Sequence, residues 1–197
     1  MSVKLIAYSQ GVNGQTPEDL LSLAFSKCYQ RPASIEAVLR NLKHESVLEH
    51  VSFTFDTKMS RSCWEHLTRH RIASFTAQSH RYTDIEKKDL VFFIPTEVKI
   101  NDNADEWLED AETIYNIYRK WRNKGYKRET ARYLAPIGVS IEAIVSFNLR
   151  SLLNMLELRT SAHAQEEIRL FAEEVWQEVK PLFPQLAAAL EKGFRNG

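Results

Sequence analysis

Residues 69 to 82 hold Arg69, Arg71 and Arg81, the imidazoles of His70 and His80, and the hydroxyls of Ser74, Thr76 and Ser79 ahead of Tyr82. Arginine presents a planar fork of donors that suits phosphate or carboxylate and keeps its charge at any physiological pH. Such a cluster expects an anion. Most charge runs are solvated faces or structural ion pairs. Here, however, Ile72, Ala73 and Phe75 interrupt the charges, so part of the segment is buried, and buried arginines need partners.

A second polar constellation runs from Asn148 through Arg150, Asn154 and Arg159 to His163. Arg150 and Asn154 are four apart and share a helix face, and Asn148 is a candidate N-cap. Capping accounts for Asn148 but not for the whole set, because polar residues in so apolar a helix need a ligand or a buried partner. Ser79 with nearby histidines invites a nucleophile reading, yet no Gly-x-Ser-x-Gly turn or triad order accompanies it, and a binding hydroxyl is the better reading. His66 and His70 lie one helical turn apart, a spacing that could hold a metal. Arg69 and Arg71 would set fixed positive charge beside any cation there, so metal is discounted.

The elements that position these residues follow from periodicity. Residues 3 to 8 read as a strand, and Thr16 with Pro17 opens a helix whose apolar face is Leu20, Leu21, Leu23, Ala24 and Cys28. Ser34 starts a second helix carrying Ile35, Val38, Leu39 and Leu42 and ending before His44. Residues 51 to 57 alternate apolar and polar as a strand does. Cys63, Trp64, Leu67 and Arg71 fall at helical spacing, predicting a helix over 61 to 71 that delivers the arginines at its C-terminal end, where cations are favoured. Residues 72 to 90 read as a long functional loop, and Leu90 to Ile94 as a short buried strand stopped by Pro95. From Asn103 to Lys124 an amphipathic helix points Trp107, Ala111, Ile114, Ile117, Tyr118 and Trp121 inward. A short helix over 127 to 133, a strand over 139 to 147 and helices over 148 to 159, 164 to 180 and 183 to 194 complete the chain.

With 197 residues, 44% of them hydrophobic, the chain suits one domain with a substantial core. The expected class is α+β, a mixed, largely antiparallel central sheet flanked by helices, with residues 1 to 197 as a single domain. The 26 basic and 26 acidic residues cancel, so the whole molecule has no electrostatic reason to seek nucleic acid or an acidic membrane. Any anion specificity is local. Cys28 and Cys63 form no disulfide or metal spacing. With no signal peptide and no membrane-length apolar run, a cytoplasmic, soluble protein is expected.

Arg69-His70-Arg71, seven residues, then Ser79 resembles the signature of flavin-dependent thymidylate synthases. Three further blocks are similar to that family in the same order. They are His44-Glu45-Ser46 to Glu49-His50, Ala131-Arg132 to Pro136, and Asn148 to Arg159 with His163-Ala164. The resemblance implies reductive methylation of dUMP to dTMP with 5,10-methylenetetrahydrofolate as one-carbon donor, FAD as redox carrier and NADPH as reductant. It implies a homotetramer with active sites shared between subunits and no cysteine nucleophile. By motif position Arg69, His70, Arg71, Ile72, Asn148, Arg150, Asn154 and His163 would contact FAD, with His50 near the flavin and folate. His66, Gln78, Ser79, His80, Arg81, Arg132 and Arg159 would hold dUMP, and Arg159 would be the catalytic residue that polarises the uracil. The chain departs from the family pattern at Val47, His66 and Ala77; Ala77 removes one nucleotide contact that His66 or Gln78 would replace. The alternatives are a non-enzymatic nucleotide- or RNA-binding module using the same arginines and a metal-dependent phosphohydrolase built on the histidines.

Overall fold

The computed structural model describes residues 1–41, 44–90 and 92–195. In chain order the elements are β1 (Ser2–Tyr8), α1 (Pro17–Tyr29), α2 (Ile35–Arg40), a 3-10 helix (Glu45–His50), β2 (Ser52–Ser60), α3 (Arg61–Leu67), β3 (Ala73–Ala77), α4 (Lys87–Leu90), α5 (Thr96–Ile100) and α6 (Ala104–Asn123). Next come α7 (Arg128–Ala131), a 3-10 turn (Arg132–Leu134), β4 (Ser140–Asn148), α8 (Leu149–Arg159), α9 (Glu166–Val179), a 3-10 turn (Lys180–Leu182) and α10 (Ala187–Arg195). The strand order is β1-β2-β4-β3. Every pairing is antiparallel. Ser9 N donates to Ser52 O at 2.8 Å, so the end of β1 meets the start of β2. Thr54 pairs with Ser146 and Thr57 with the carbonyl of Ala143, so β2 and β4 run opposite ways. Gln78 N donates to Glu142 O at 2.7 Å just beyond β3. This is the expected α+β class with its largely antiparallel sheet.

The chain divides into two compact units. Unit 1 comprises Met1, Thr57–Arg69 and Thr76–Ala143, and unit 2 comprises Ser2–Asp56, His70–Phe75 and Ile144–Gly197. Unit 1 has a core of Ile85, Leu90, Ala111, Tyr118, Ala131 and Val139, with Ile114, Tyr115 and Trp121 packed against it. In unit 2, α9 buries Ile168, Phe171, Ala172, Val175, Trp176 and Val179, one face of a 3.6-residue period. Phe53 meets Phe183 edge-on at 6.0 Å and Trp176 meets Phe194 at 5.1 Å. Each such ring contributes about 2 to 3 kcal/mol by leaving water.

Local signals decide most helix starts. Thr16 accepts from Asp19 N at 3.2 Å while Asp19 accepts from Thr16 N, a complete capping box before Pro17. Ser60 accepts from Cys63 N at 2.9 Å and so converts β2 directly into α3.

Four expectations are corrected. Helix α3 stops at Leu67, so Arg69-His70-Arg71 lies in the connection to β3 and not on a helix end. Residues 72 to 90 are not one loop, because Ala73, Phe75 and Ala77 alternate inward on a strand that pairs with β4, and Lys87–Leu90 is helical. Two alanines on that inward side make the strand signal faint. No strand forms at 90 to 94: Leu90 ends α4, Phe92 to Ile94 are unpaired coil, and Val91 lies outside the described residues. Buried Asp89 accepts from Glu86 N at 2.9 Å and from Ser140 Oγ at 3.1 Å, which pins a helical turn there instead. On α6, Trp107 and Ile117 are exposed, because the apolar face meets its core only around Ala111 and Tyr118. Helix α2 is found as expected, although Leu42 lies outside the described residues.

One buried carboxylate anchors the C-terminal part of unit 2. Glu18, 4% exposed, accepts from Gln185 N and Leu186 N, both at 2.8 Å. Glu18→Ala leaves those donors unpaired and is expected to destabilise the protein by about 2 kcal/mol, read as a lower urea midpoint with an unchanged m-value.

Candidate active site

In unit 1 the chain turns tightly after β3. Tyr82 N and Thr83 N both donate to Ser79 O, at 2.9 and 3.0 Å, and Arg81 N donates to Ser79 Oγ at 3.3 Å. Gln78 is spent on structure: its Nε2 donates to Thr83 at 3.1 Å and its Oε1 accepts from Glu142 N at 3.4 Å. Arg81 is exposed, lies over the Tyr82 ring and pairs with Glu129 at 2.9 Å. Three residues on, Asp84 accepts from Arg122 Nε at 2.6 Å, Tyr118 OH at 2.9 Å and Arg128 Nε at 2.9 Å. The turn bearing Ser79 and Arg81 is therefore tied twice to α7, through Glu129 and Arg128. Helix α7 runs straight into Arg132.

Arg132 lines a cavity of about 220 Å³ with Arg61, His80, Tyr133, Pro136 and Ile137. Two guanidiniums on one cavity wall are a charge arrangement that suits an anion. His80 is 2% exposed, and its Nε2 has no hydrogen-bond partner. Burial pushes its pKa below the ordinary histidine value; Asp89 opposes this, and Arg61 and Arg132 reinforce it. His80 is thus a neutral wall of the cavity, not a third cation. Arg61 was not singled out as a binding residue from the sequence. A signal existed: a cation in the first turn of α3, with no acid beside it, has the wrong sign for the helix dipole.

In unit 2, α8 gathers three of the sequence blocks. Asn148 accepts from Ser151 N at 2.8 Å and caps the helix as expected. Arg150 reaches Glu49 and Glu45, each at 2.6 Å, on the 3-10 helix that ends at His50. Arg159 Nε donates to His70 Nε2 at 3.0 Å, and Asn154 hydrogen-bonds the same ring. His70 is buried, whereas Arg69, at the end of a unit 1 segment, and Arg71 and Ile72 are exposed. Burial first, then the Arg159 charge, holds the His70 pKa down at about 4 against the opposing Asn154 bond. His50 and His163 are exposed, and His163 N donates to Ser161 Oγ at 3.3 Å. His66 is half-buried on α3 of unit 1. Among the described residues no group of three His, Cys, Asp or Glu could hold a metal ion, and no helix is long and apolar enough to cross a membrane.

A family model described as "Thymidylate synthase complementing protein" matches residues 4–185. The flavin-dependent thymidylate synthase of Clostridium tetani is 32% identical over 219 aligned residues, 94% of this chain and 85% of that protein. That of Pyrococcus furiosus is 37% identical over 140 residues, 69% of this chain and 57% of its own length. A crystal structure of Helicobacter pylori thymidylate synthase X with FAD and dUMP aligns with a TM-score of 0.77 at 25% identity, covering 99% of both chains. A UMP/dUMP methylase from Streptomyces cacaoi shares the fold, with a TM-score of 0.77 at 23% identity over 98% of this chain and 95% of its own.

The Asp84 clamp has a pH signature. Burial pushes its carboxyl up, but the Arg122, Tyr118 and Arg128 donors outweigh that and hold it down at about 2 from 3.8. A carboxylate depressed in the folded state stabilises fully above its unfolded pKa and loses that contribution as pH falls through the folded one. The resistance of the wild type to urea is expected to fall between pH 4 and 2, and Asp84→Asn to flatten that component. A pH slope in this window that is the same in both proteins would contradict the clamp.

Proposed function

Because this chain belongs to the flavin-dependent thymidylate synthase family, we propose that it methylates dUMP to dTMP with FAD as redox carrier, 5,10-methylenetetrahydrofolate as one-carbon donor and NADPH as reductant. The observation that carries the reading is the cavity with Arg61 and Arg132 on its wall. A nucleotide monophosphate offers the dianion that two guanidiniums suit. Ser79 and Arg81, on the turn clamped to α7, flank the cavity residue His80 in sequence and supply a hydroxyl and a further guanidinium. Arg81 would exchange its exposed Glu129 partner for phosphate at little expense, since exposed pairs of this kind are worth under about 1 kcal/mol.

The residues of unit 2 suit FAD. Exposed Arg71 matches a pyrophosphate, and Ile72, 73% exposed, offers an uncovered apolar side chain to a planar ring system. Asn148 and Asn154 add amide donors and acceptors. Arg150 would hold the cofactor only while sharing its guanidinium with Glu45 and Glu49. Bound FAD supplies the hydride chemistry; the protein supplies placement and field. Arg159 is assigned to polarise the uracil, stabilising negative charge as it develops. Cysteine nucleophilic catalysis has no carrier in this reading, since Cys63 is buried and Cys28 lies on α1 outside every matched block.

The assembly in the same reading is a homotetramer whose subunits share active sites. The exposed apolar side chains Ile72, Tyr133 and Ile137 give it surfaces to bury. A single domain and a cytoplasmic location complete the proposal.

The test is the visible spectrum and turnover of the purified protein. Bound flavin, bleached by anaerobic NADPH, and dTMP formed from dUMP and methylenetetrahydrofolate are expected. A protein that takes up no FAD sinks the reading. Arg61→Ala and Arg132→Ala should each raise the KM for dUMP about 10- to 100-fold with flavin retained. Arg159→Ala should abolish exchange of the dUMP C5 proton while FAD stays bound.

A further inference from the structure

The three residues Arg69-His70-Arg71 do not face the same way. Arg69 and Arg71 are exposed, and His70 between them is buried at 7% exposure, where it meets α8 of its own unit. Its flanks suit a solvent-borne anion. Its own contacts are different: Arg159 Nε donates to His70 Nε2 at 3.0 Å, and Asn154 bonds the same ring.

We propose that His70 is a positioning residue whose neutral imidazole, braced by Asn154, accepts from Arg159 and fixes the plane of that guanidinium. The role rests on the assignment of Arg159 to uracil polarisation.

The direction of the bond is not open. A guanidinium carries five N–H donors and no acceptor. His70 Nε2 must therefore present its lone pair, and the ring proton sits on Nδ1. Asn154 then accepts at that nitrogen and completes the lock. A protonated His70 would turn two donors and two positive charges on each other, and burial together with the Arg159 charge holds the ring's pKa at about 4, so it is neutral near pH 7.

The consequence is geometric. Four rotatable bonds separate an arginine guanidinium from the backbone, and one with nothing to hold it samples many planes. Holding Nε on a rigid, buried ring fixes the plane in which the two Nη nitrogens fork. Both anchors are well placed, because Asn154 and Arg159 share α8 and His70 begins the segment leading into β3. An acceptor is what this position requires; charge is not. That explains a histidine between two arginines better than a third anion contact does.

The role is tested in two arms. In protein free of FAD, nitrogen NMR of the ring should show Nε2 unprotonated and Nδ1 protonated from pH 6 to 8, with the ring titrating at about 4. Arg159→Ala removes a charge that lowers the His70 pKa, so the ring should titrate at higher pH in that variant. In FAD-loaded enzyme, His70→Phe, which fills the space without an acceptor, should lower kcat about 100-fold, the scale of an ångström of misplacement, and slow C5 proton exchange equally. The KM for dUMP should rise much less than kcat falls. His70→Gln, which keeps an acceptor at the Nε2 position, should recover at least a tenth of the rate, as a purely space-filling role would not. The proposal is overturned if the ring titrates identically with and without Arg159. It is equally overturned if His70→Phe loses FAD yet keeps C5 exchange per bound flavin, which would make His70 a cofactor contact. A wild type that forms no dTMP removes the reaction, and this role with it, while the NMR arm still reports whether the pair exists.

Discussion

The exchange of strand for helix at Asn148 sets the rest of unit 2. Asn148 ends β4, and its side chain accepts from Ser151 N at 2.8 Å, while Leu149 N donates to Val51 O at 2.7 Å. One cap therefore ties the first turn of α8 to the backbone that leads into β2. The phase of α8 follows from where it starts, and that phase puts Leu149, Leu152, Met155 and Leu156 in the core. The same phase leaves Arg150 beside Glu45 and Glu49, and Asn154 and Arg159 beside His70. Moving the helix start by one residue would rotate all of these by about 100°.

Unit 1 solves a different problem with charge. The turn after β3 has few apolar residues and would be mobile if left to packing. Asp84 gathers Tyr118, Arg122 and Arg128, while Arg81 pairs with Glu129. The first set is partly buried and charge-assisted, and such bonds are worth more than exposed ones. The second is exposed and exchangeable. The turn thus combines a rigid base with an arm whose one ion pair is exposed.

Electrostatics in this protein is local throughout. A molecule with equal numbers of acidic and basic residues attracts no polyanion at long range. The cavity carrying Arg61 and Arg132, the depressed pKa of His70 and the low pKa of Asp84 all arise from neighbours within a few ångströms. The match over residues 4–185 places the chain in the flavin-dependent thymidylate synthase family.

What was legible in the sequence is what short-range physics writes there. Thr16 with Pro17, and Asn148 before an apolar helix, are caps whose donors lie within three residues, and both are found where the pattern put them. Strand β2 and helix α9 announce themselves by period. The concentration of arginine, histidine and hydroxyl side chains over residues 69 to 82 is likewise readable from residue type. Strand β3 was not, because two alanines on its inner side carry little hydrophobic signal and its identity comes from pairing with β4. Nor could spacing say that His70 turns inward to Arg159, 89 residues away, or that Arg81 meets Glu129, 48 residues away. It could not bring Arg61 to the same cavity as Arg132 either. The sequence by itself determined which elements form and which residue types could bind an anion, since caps and periodicity act within a few residues. Only the tertiary structure decided which cation meets which partner, because a charge or a ring finds its neighbour through the packing of elements far apart along the chain.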